Sequence, residues 1–343
     1  MTDPTATDLQ HAALEQPLGW RPLLHAALAL LVVLVATLLV TPPPARTGDP
    51  AAITRLQLDL AEQRPDTLLL GNSILDEAVD ADEFARLTGQ RTHKLALPGS
   101  ASAVWFVLMK NVVVTAPHRP RRVVIFFRDY FLTDPAFRTT GAEKRHQLDP
   151  YTTDDEPLLD SLAYEQQMHV LELQVLRHWS LYRSREGLAS GLQSHLASAV
   201  SPDAGEAFSR VFAEQQLDQQ LVTQQQLAVE ADTDDHALPF ADQLPRSFLP
   251  AIIQLAHDAG IELTFVRMRR RNVAAGHADS PRKLAYIADL RAYLESQSCA
   301  LIDFTDDERI TLAHFAGGDH LDRTTGRPLF TRLLAERLAN DRQ

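Results

Sequence analysis

Five short apolar runs, separated by segments with helical patterns, constrain the fold of this chain more than any other feature. The runs are TLLLG (67–71), THKLALPG (92–99), RRVVIFF (121–127), IELTFVRM (261–268) and CALIDF (299–304). Strands that alternate with helices are typical of a parallel sheet covered by helices on both faces. We therefore predict an α/β fold with a doubly wound parallel sheet, in which Gly89 and Gly260 mark helix ends.

The alternation is interrupted between about Ala142 and Ala241, where a long polar segment with helical periodicity replaces it. We predict a helical insertion between the third and fourth strands. The predicted organisation is an N-terminal tail (1–21), a transmembrane helix (22–41), a linker and helix (42–64), a first part of the sheet domain (65–141), the insertion (142–245) and a second part of the sheet domain (246–343).

The segment from Leu23 to Val40 contains no formal charge and one histidine. With Pro22 and Thr41 it is roughly 20 residues long, about 30 Å as a helix, which matches the hydrocarbon core of a bilayer. We predict one membrane span here rather than a buried helix or a cleaved signal peptide. The arginines that follow the span would, by the positive-inside rule, place the large domain in the cytoplasm.

Composition excludes several classes of function. The net charge of −12 argues against a nucleic-acid-binding protein, which needs a clustered basic surface. The single cysteine, Cys299, rules out an intramolecular disulfide, and its apolar setting favours a core thiol over a reactive nucleophile. No metal-ligand spacing, P-loop or dinucleotide fingerprint is present, so we predict no metal and no cofactor.

The first apolar run ends abruptly in Gly71, Asn72 and Ser73. Ligands of parallel sheets bind beyond the carboxyl ends of the strands, so Ser73 is a candidate nucleophile at the start of the next helix. Gly71 is expected to allow the tight turn. The alternative is that Ser73 serves only as a helix N-cap.

A serine nucleophile needs a base, and the chain has thirteen histidines. His320 lies in a loop between the fifth strand and the last helix, at the sheet edge where Ser73 is predicted. We therefore expect Ser73 and His320 to meet. Histidines such as His118, His236 and His277 fit exposed loop positions better.

The blocks LLLGNS, LALPGSA and GDHLDRTTGRPLF resemble the spaced blocks of the SGNH (GDSL-like) hydrolase superfamily, over about residues 66–128 and 248–338. The resemblance implies a flavodoxin-like SGNH fold with Ser73 as nucleophile and His320 as base. It also implies that the Gly99 N–H stabilises an oxyanion, and we add Asn72 to the candidate oxyanion residues.

Two positions depart from the superfamily pattern. An oxyanion asparagine is expected after the third strand, but Arg128 and Asp129 stand there; Arg128 is either an oxyanion-stabilising charge or a structural residue. The aspartate expected three residues before the histidine is replaced by Gly317, and the neighbouring Asp319 is the remaining candidate for orienting the ring. The site is therefore either a Ser–His dyad or a surface that has lost its catalytic function.

An N-terminal anchor joined to a divergent SGNH domain is similar to membrane-tethered proteins that help to acylate cell-envelope polymers, including alginate O-acetylation proteins and the D-alanine transfer protein of teichoic acids. This similarity implies a single-pass protein of the cytoplasmic membrane with an extracytoplasmic domain, against the arginine count. It implies a serine-dependent acyltransferase or esterase, with cell-envelope polysaccharide, an acyl donor and a membrane-bound O-acyltransferase as partners.

Two alternatives to an acyltransferase remain open. One is a catalytically inactive scaffold or glycan-binding partner of a membrane-bound O-acyltransferase, and the other is a plain membrane-anchored esterase. The basic run RMRRR (267–271) follows the fourth strand and either attracts an anionic polymer or is a solvated loop that offsets nearby acidic residues.

Overall fold

A computed structural model describes residues 24–25, 27–29, 31–32, 48–137, 139, 147–153, 156–164 and 238–340. The described residues between 24 and 32 are helical. Most of the predicted membrane span and the central part of the predicted insertion lie outside the described residues. Within the described part of the chain, no helix is both long and apolar enough to cross a membrane.

Five parallel strands form a single sheet. They are β1 (Thr67–Gly71), β2 (Thr92–Ala96), β3 (Arg122–Phe127), β4 (Glu262–Arg267) and β5 (Ala300–Asp303). The strand order is β2-β1-β3-β4-β5, and every neighbouring pair is parallel. Each strand lies within one of the five apolar runs, so the predicted parallel sheet is confirmed.

In the described ranges, seven helices of six residues or more accompany the strands. They are α1 (Pro50–Gln63), α2 (Ser73–Ala78), α3 (Ala81–Thr88), α4 (Ser102–Leu108), α5 (Leu249–Asp258), α6 (Pro281–Ser296) and α7 (Gly326–Asn340). Helix α4 continues as a π-helical turn over Met109–Val113. Gly89 and Gly260 both have φ of +67° beside the ends of α3 and α5, as predicted for helix C-termini.

Helices cover both faces of the sheet because successive strand residues point to opposite sides. On β1, Leu68 and Leu70 pack into one hydrophobic cluster, with residues of α1, α4, α5 and α6. Leu69 points the other way, into a second cluster with residues of α2, α3 and α7. The sheet is therefore doubly wound, and nearly every β1 and β3 side chain is buried.

The strand order places a topological switch point between β1 and β3. The chain leaves β1 toward β2 on one side and then crosses to β3 on the other side. Ligands of open parallel sheets bind at such a point, beyond the carboxyl ends of the strands. Ser73 follows β1 and Arg128 follows β3, so both flank the switch point. The segment that carries His320 follows β5, which is the outermost strand on the side of the sheet away from β2.

Candidate functional site

Ser73 is the first residue of α2 and follows β1 after a single intervening residue, Asn72. Asn72 is the N-cap, and its side-chain oxygen accepts a hydrogen bond from the Ile74 N–H at 3.0 Å. The alternative that Ser73 is the cap is therefore wrong. Because Asn72 carries out the capping, the Ser73 hydroxyl is left for another partner.

Gly71 permits close packing between β1 and α2. A Cβ atom at this position would lie 2.9 Å from the Leu75 Cβ and 3.2 Å from the Phe126 Cβ. Its φ is not in the left-handed region. The glycine is thus explained by the close approach of helix and strand, and not by the tight-turn conformation that the sequence suggested.

The turn after β2 lies against the turn after β1. The Ser100 N–H donates to the Leu97 carbonyl at 3.0 Å, and Gly99 has φ of +81°, which suits the third position of a type II turn. Asn72 Nδ2 donates to the Ser100 carbonyl at 3.2 Å, and Ser100 Oγ donates to the Gly71 carbonyl at 3.2 Å. The two turns are therefore held together by buried hydrogen bonds.

These contacts distinguish the predicted oxyanion residues Gly99 and Asn72. The Asn72 amide is engaged at both ends, in capping α2 and in holding Ser100. The Gly99 N–H makes no hydrogen bond to any residue of the described ranges. Gly99 thus offers a free backbone donor beside the Ser73 turn, whereas the oxyanion role of Asn72 stays a prediction.

The His320 imidazole lies within hydrogen-bonding distance of the Ser73 hydroxyl. His320 Nε2 is 2.9 Å from Ser73 Oγ, across a sequence separation of 247 residues. Both residues are half-buried. In the neutral ring with the proton on Nδ1, Nε2 accepts the hydrogen bond that the serine hydroxyl donates. The structure therefore brings together the two side chains that the sequence pairs, and their catalytic roles stay predictions.

Asp319 does not contact the neighbouring His320 ring. Its Oδ1 accepts a hydrogen bond from the Arg271 N–H at 2.7 Å, and its Oδ2 pairs with the Arg128 guanidinium. Among the described residues, no carboxylate is hydrogen-bonded to the His320 ring. This geometry therefore does not provide the direct contact through which Asp319 is predicted to orient the ring.

Glu77, on α2, interacts electrostatically with His320. The Arg323 guanidinium, which binds the Glu77 carboxylate, is the main cause of the lowered pKa of Glu77, and His320 contributes a smaller lowering. Arg327 also contacts this carboxylate, at 3.2 Å. Glu77 therefore ties the segment after His320 to the helix that begins with Ser73.

Arg128 lies between two carboxylates. Besides pairing with Asp319, its Nε is 3.1 Å from Asp129 Oδ2, and its guanidinium lies 5.4 Å from the centre of the Phe131 ring. This arrangement largely neutralises the positive charge of Arg128 where it stands. The oxyanion role of Arg128 stays a prediction, and its observed contacts correspond to the structural alternative.

A buried ion-pair network lies beyond the ends of β3, β4 and β5. Arg267 pairs with Asp279 and, at 3.2 Å, with Asp303; Arg270 Nη2 donates to Asp279 at 2.6 Å. The side chains of Arg267 and Arg270 are only 3% and 4% exposed. These two members of the RMRRR run therefore balance buried acids and do not face solvent, where a polymer would bind.

Lys283 extends this network to Asp129, the residue after Arg128. The fully buried Lys283 ammonium donates to Asp129 Oδ1 at 2.9 Å. Burial raises the pKa of Asp129, but the neighbouring cations outweigh that effect and lower it. Asp129 also has φ of +51°, a rare conformation for a residue other than glycine. This network could not be recognised in the sequence, because Lys283 and Asp279 belong to no recognisable motif.

Cys299 is buried and belongs to the larger hydrophobic cluster. Burial raises the pKa of its thiol to about 11. A thiol of this kind is protonated at neutral pH and is a poor nucleophile. Within the described ranges no group of histidine, cysteine and acidic residues is arranged to hold a metal ion.

Two of the solved structures that are similar to this chain come from Bacteroides species. One is a proposed acylhydrolase from Bacteroides fragilis NCTC 9343, 12% identical, with a TM-score of 0.41 over 86% of this chain and 99% of that chain. The other is a GDSL-like lipase from Bacteroides thetaiotaomicron VPI-5482, 9% identical, with a TM-score of 0.37 over 84% of this chain and 98% of that chain.

No family model matches the chain, and no curated protein is significantly similar to it. Identities this low do not assign an activity. The chemistry must be inferred from the residues of this chain.

Proposed function

We propose that this chain is a serine-dependent enzyme of ester chemistry, an SGNH-like O-acyltransferase or esterase that acts on acyl groups of cell-envelope polysaccharide. One observation carries the proposal: the 2.9 Å contact between His320 Nε2 and Ser73 Oγ at the carboxyl edge of a parallel sheet. A hydroxyl held against an imidazole is the arrangement that converts serine into a nucleophile.

The proposed reaction has two halves. In the first, Ser73 Oγ attacks the acyl carbon of a donor ester while its proton passes to His320 Nε2. The alcohol part of the donor then leaves and takes that proton, and the acyl group stays on Ser73. In the second, a sugar hydroxyl or water gives its proton to His320 Nε2 and attacks the acyl-serine. The bond between the acyl carbon and Ser73 Oγ then breaks, Oγ takes the proton back from His320, and the new ester or the free acid is released.

Negative charge develops on the acyl oxygen in both halves. The free N–H of Gly99, in the turn bound to the Ser73 turn, is the proposed donor to that oxyanion. A backbone donor fixed in position before the reaction stabilises the transition state without reorganisation. Removing one such donor from an enzyme typically costs on the order of 100- to 1,000-fold in turnover.

The polysaccharide substrate, the acyl donor, the membrane anchor and the membrane-bound O-acyltransferase partner belong to the same proposal. They are supported by the apolar segment from Leu23 to Val40 and by the similarity of an N-terminal anchor joined to a divergent SGNH-like domain to membrane-tethered acylation proteins. An anchored domain on the outer side of the cytoplasmic membrane would reach envelope polymers there.

A second candidate function is a catalytically inactive scaffold or glycan-binding partner of a membrane-bound O-acyltransferase. Gly317 stands where the superfamily has its aspartate, and Asp319 is engaged by Arg128 and the Arg271 N–H. His320 therefore lacks a hydrogen-bonded carboxylate among the described residues, as expected of a site that no longer catalyses.

Hydrolysis of p-nitrophenyl acetate by the full-length chain in detergent separates the two candidates. Catalysis predicts that Ser73→Ala abolishes turnover and that His320→Asn lowers it by about 100- to 10,000-fold, the usual contribution of a general base. Equal rates in wild type and Ser73→Ala would favour the scaffold.

Two matched controls guard against general effects of substitution. Ser296→Ala and His277→Asn change the same residue types at exposed positions outside the site, and both variants are expected to keep the wild-type rate. An acceptor glycan added to the active protein then distinguishes transfer from hydrolysis.

A further inference from the structure

We infer that Asp319 and Arg128 form one positioning unit, which holds the His320 loop across the ends of β4 and β3 and so places the imidazole on Ser73. This inference rests on the proposed function, because it assigns a role within the same site. It gives Asp319 a part in catalysis that needs no contact with the ring.

The strand order creates the need for such a unit. His320 follows β5 at one edge of the sheet, whereas Ser73 follows β1, and β4 and β3 lie between these strands. The loop after β5 must therefore pass over the ends of two strands before its histidine reaches the serine. Contacts along that path determine the position of the His320 imidazole ring.

Asp319 makes one contact at each crossing. Its Oδ1 accepts the Arg271 N–H at 2.7 Å, just after β4, and its Oδ2 pairs with Arg128, just after β3. The Asp319 side chain is only 9% exposed. Charge-assisted hydrogen bonds of this kind are roughly twice as strong as neutral ones, and burial reduces their screening by solvent.

The Ala316 N–H donates to the His320 carbonyl at 3.0 Å and the His320 N–H donates to the Gly317 carbonyl at 3.3 Å, which closes a turn at Asp319. Gly317 and Gly318 come directly before it, no atom lies within 4 Å of an added Cβ at either position, and Gly318 has φ of +55°. These hydrogen bonds fix the shape of the turn, while open space surrounds its two glycines. The Asp319 side chain, immediately after them, is therefore the contact that ties this turn to the residues beyond β4 and β3.

The segment after His320 has a weaker attachment. Arg323 binds Glu77 on α2 at 2.6 Å, but the arginine side chain is 64% exposed. Exposed ion pairs contribute little and are screened by salt. Arg327, on α7, is half-buried and also binds Glu77, but it lies seven residues beyond His320, whereas Asp319 is its direct neighbour. We therefore expect the buried pair of Asp319 and Arg128 to control the ring position.

Labelling of the full-length chain with a fluorophosphonate tests the inference, because the rate and the end point report different properties. Ser73 Oγ bonds to phosphorus, fluoride leaves, and the serine proton passes through His320. The rate measures activation of the hydroxyl, and the labelled fraction at completion measures how much protein is correctly folded.

The variants are Asp319→Ala, Arg128→Ala and the double substitution, with Arg128→Lys as the conservative variant. We expect each alanine variant to slow labelling by about 10- to 100-fold, since a misplacement of about 1 Å can cost that much. The double variant should be no slower than the slower single one, and Arg128→Lys should recover part of the rate. Completion should still reach the wild-type fraction.

Three results would overturn the inference. In the first, Asp319→Ala slows labelling while Arg128→Ala keeps the wild-type rate. In the second, the losses of the single variants multiply in the double variant. In the third, the labelled fraction falls while the rate is unchanged, which would mean that the pair only stabilises the fold.

A wild-type chain that is not labelled would instead refute the proposed function, and the two failures are thereby distinguished. Arg86→Gln, in an exposed ion pair with Glu83, is the matched control and should label like wild type.

Discussion

The Ser73 hydroxyl owes its availability to the residue before it. Asn72 caps α2 with its oxygen and holds the turn after β2 with its nitrogen, so Ser73 is free to meet His320. A single side chain thus fixes the helix start and the neighbouring turn that presents the Gly99 N–H. At this scale the site depends on the buried hydrogen bonds through which Asn72 joins the two turns.

Asn72 gives the first prediction at the scale of residues. Asn72→Ala removes the cap and leaves the Ser100 carbonyl without its partner, so we expect the free energy of unfolding to fall by about 1 to 3 kcal/mol. Chemical denaturation measures this loss. Asn72→Asp keeps the capping oxygen and should recover part of it; an alanine variant as stable as wild type would contradict the assigned role.

The thiol gives a second prediction. With its pKa raised to about 11 by burial, Cys299 should react with Ellman's reagent at pH 8 far more slowly than a free thiol. Cys299→Ala should leave ester hydrolysis unchanged, because the residue lies in the core and away from Ser73. Rapid modification of the folded protein, with loss of activity, would show that the thiol belongs to the site.

At the scale of elements, the site depends on how closely α2 packs against the sheet. Gly71 lies at the end of β1, where a methyl group would collide with Leu75 on α2 and Phe126 on β3. We expect Gly71→Ala to lower the free energy of unfolding by about 1 to 3 kcal/mol, as overpacking does, and to shift Ser73 away from His320.

Thermal unfolding and ester hydrolysis together test this prediction. The matched control for stability is Gly317→Ala, since an added Cβ there would meet no atom within 4 Å. A Gly71→Ala variant with wild-type melting temperature and turnover would show that the close approach is not required.

The strands and most helices could be predicted from the sequence because their signals are local. The runs at 67–71 and 261–268 contain β1 and β4, and α6 lies in the segment between the fourth and fifth runs, one of the segments with a helical pattern. The meeting of Ser73 and His320 also followed from topology, because parallel strands end at one edge. The contacts of Asp319 could not be predicted, since they depend on how a glycine-containing loop crosses two strands.

The ion-pair network around Asp129 also could not be predicted from the sequence. Asp129 follows β3, whereas Asp279 and Lys283 lie four residues apart around the start of α6, and nothing in their local sequence indicates that they are buried together. The basic run after β4 appeared to be a surface feature, yet Arg267 and Arg270 neutralise these acids inside the molecule. A sequence shows the charge of a side chain but not whether that side chain points to solvent or to the interior.

For the whole molecule, this network makes stability depend on pH. The pKa values of Asp129 and Asp279 are lowered in the fold, because the surrounding cations outweigh the effect of burial. A depressed folded-state pKa contributes stability that is fully present above the unfolded value of about 3.9. That stability is lost as the pH falls below this value toward the folded pKa, so we expect the free energy of unfolding to decline below about pH 4.

Asp279→Asn tests the source of that decline. Removing one partner of a buried ion pair costs about 3 to 5 kcal/mol, so the variant should be less stable at pH 7 and should lose less on acidification. Denaturant titrations at several pH values measure both effects. Asp289→Asn, at an exposed position of α6, is the control and should behave like wild type. An unchanged pH profile in Asp279→Asn would contradict the account of this network.

The most direct measurement of the central claim is the site of covalent modification. The full-length chain is treated with a fluorophosphonate and digested, and the modified residue is located by tandem mass spectrometry. We predict one adduct, on Ser73, that is absent from Ser73→Ala and forms at a greatly reduced rate in His320→Asn. An adduct at any other residue, or labelling of Ser73 that is indifferent to the loss of His320, would contradict the claim that these two side chains act as a nucleophile and its base.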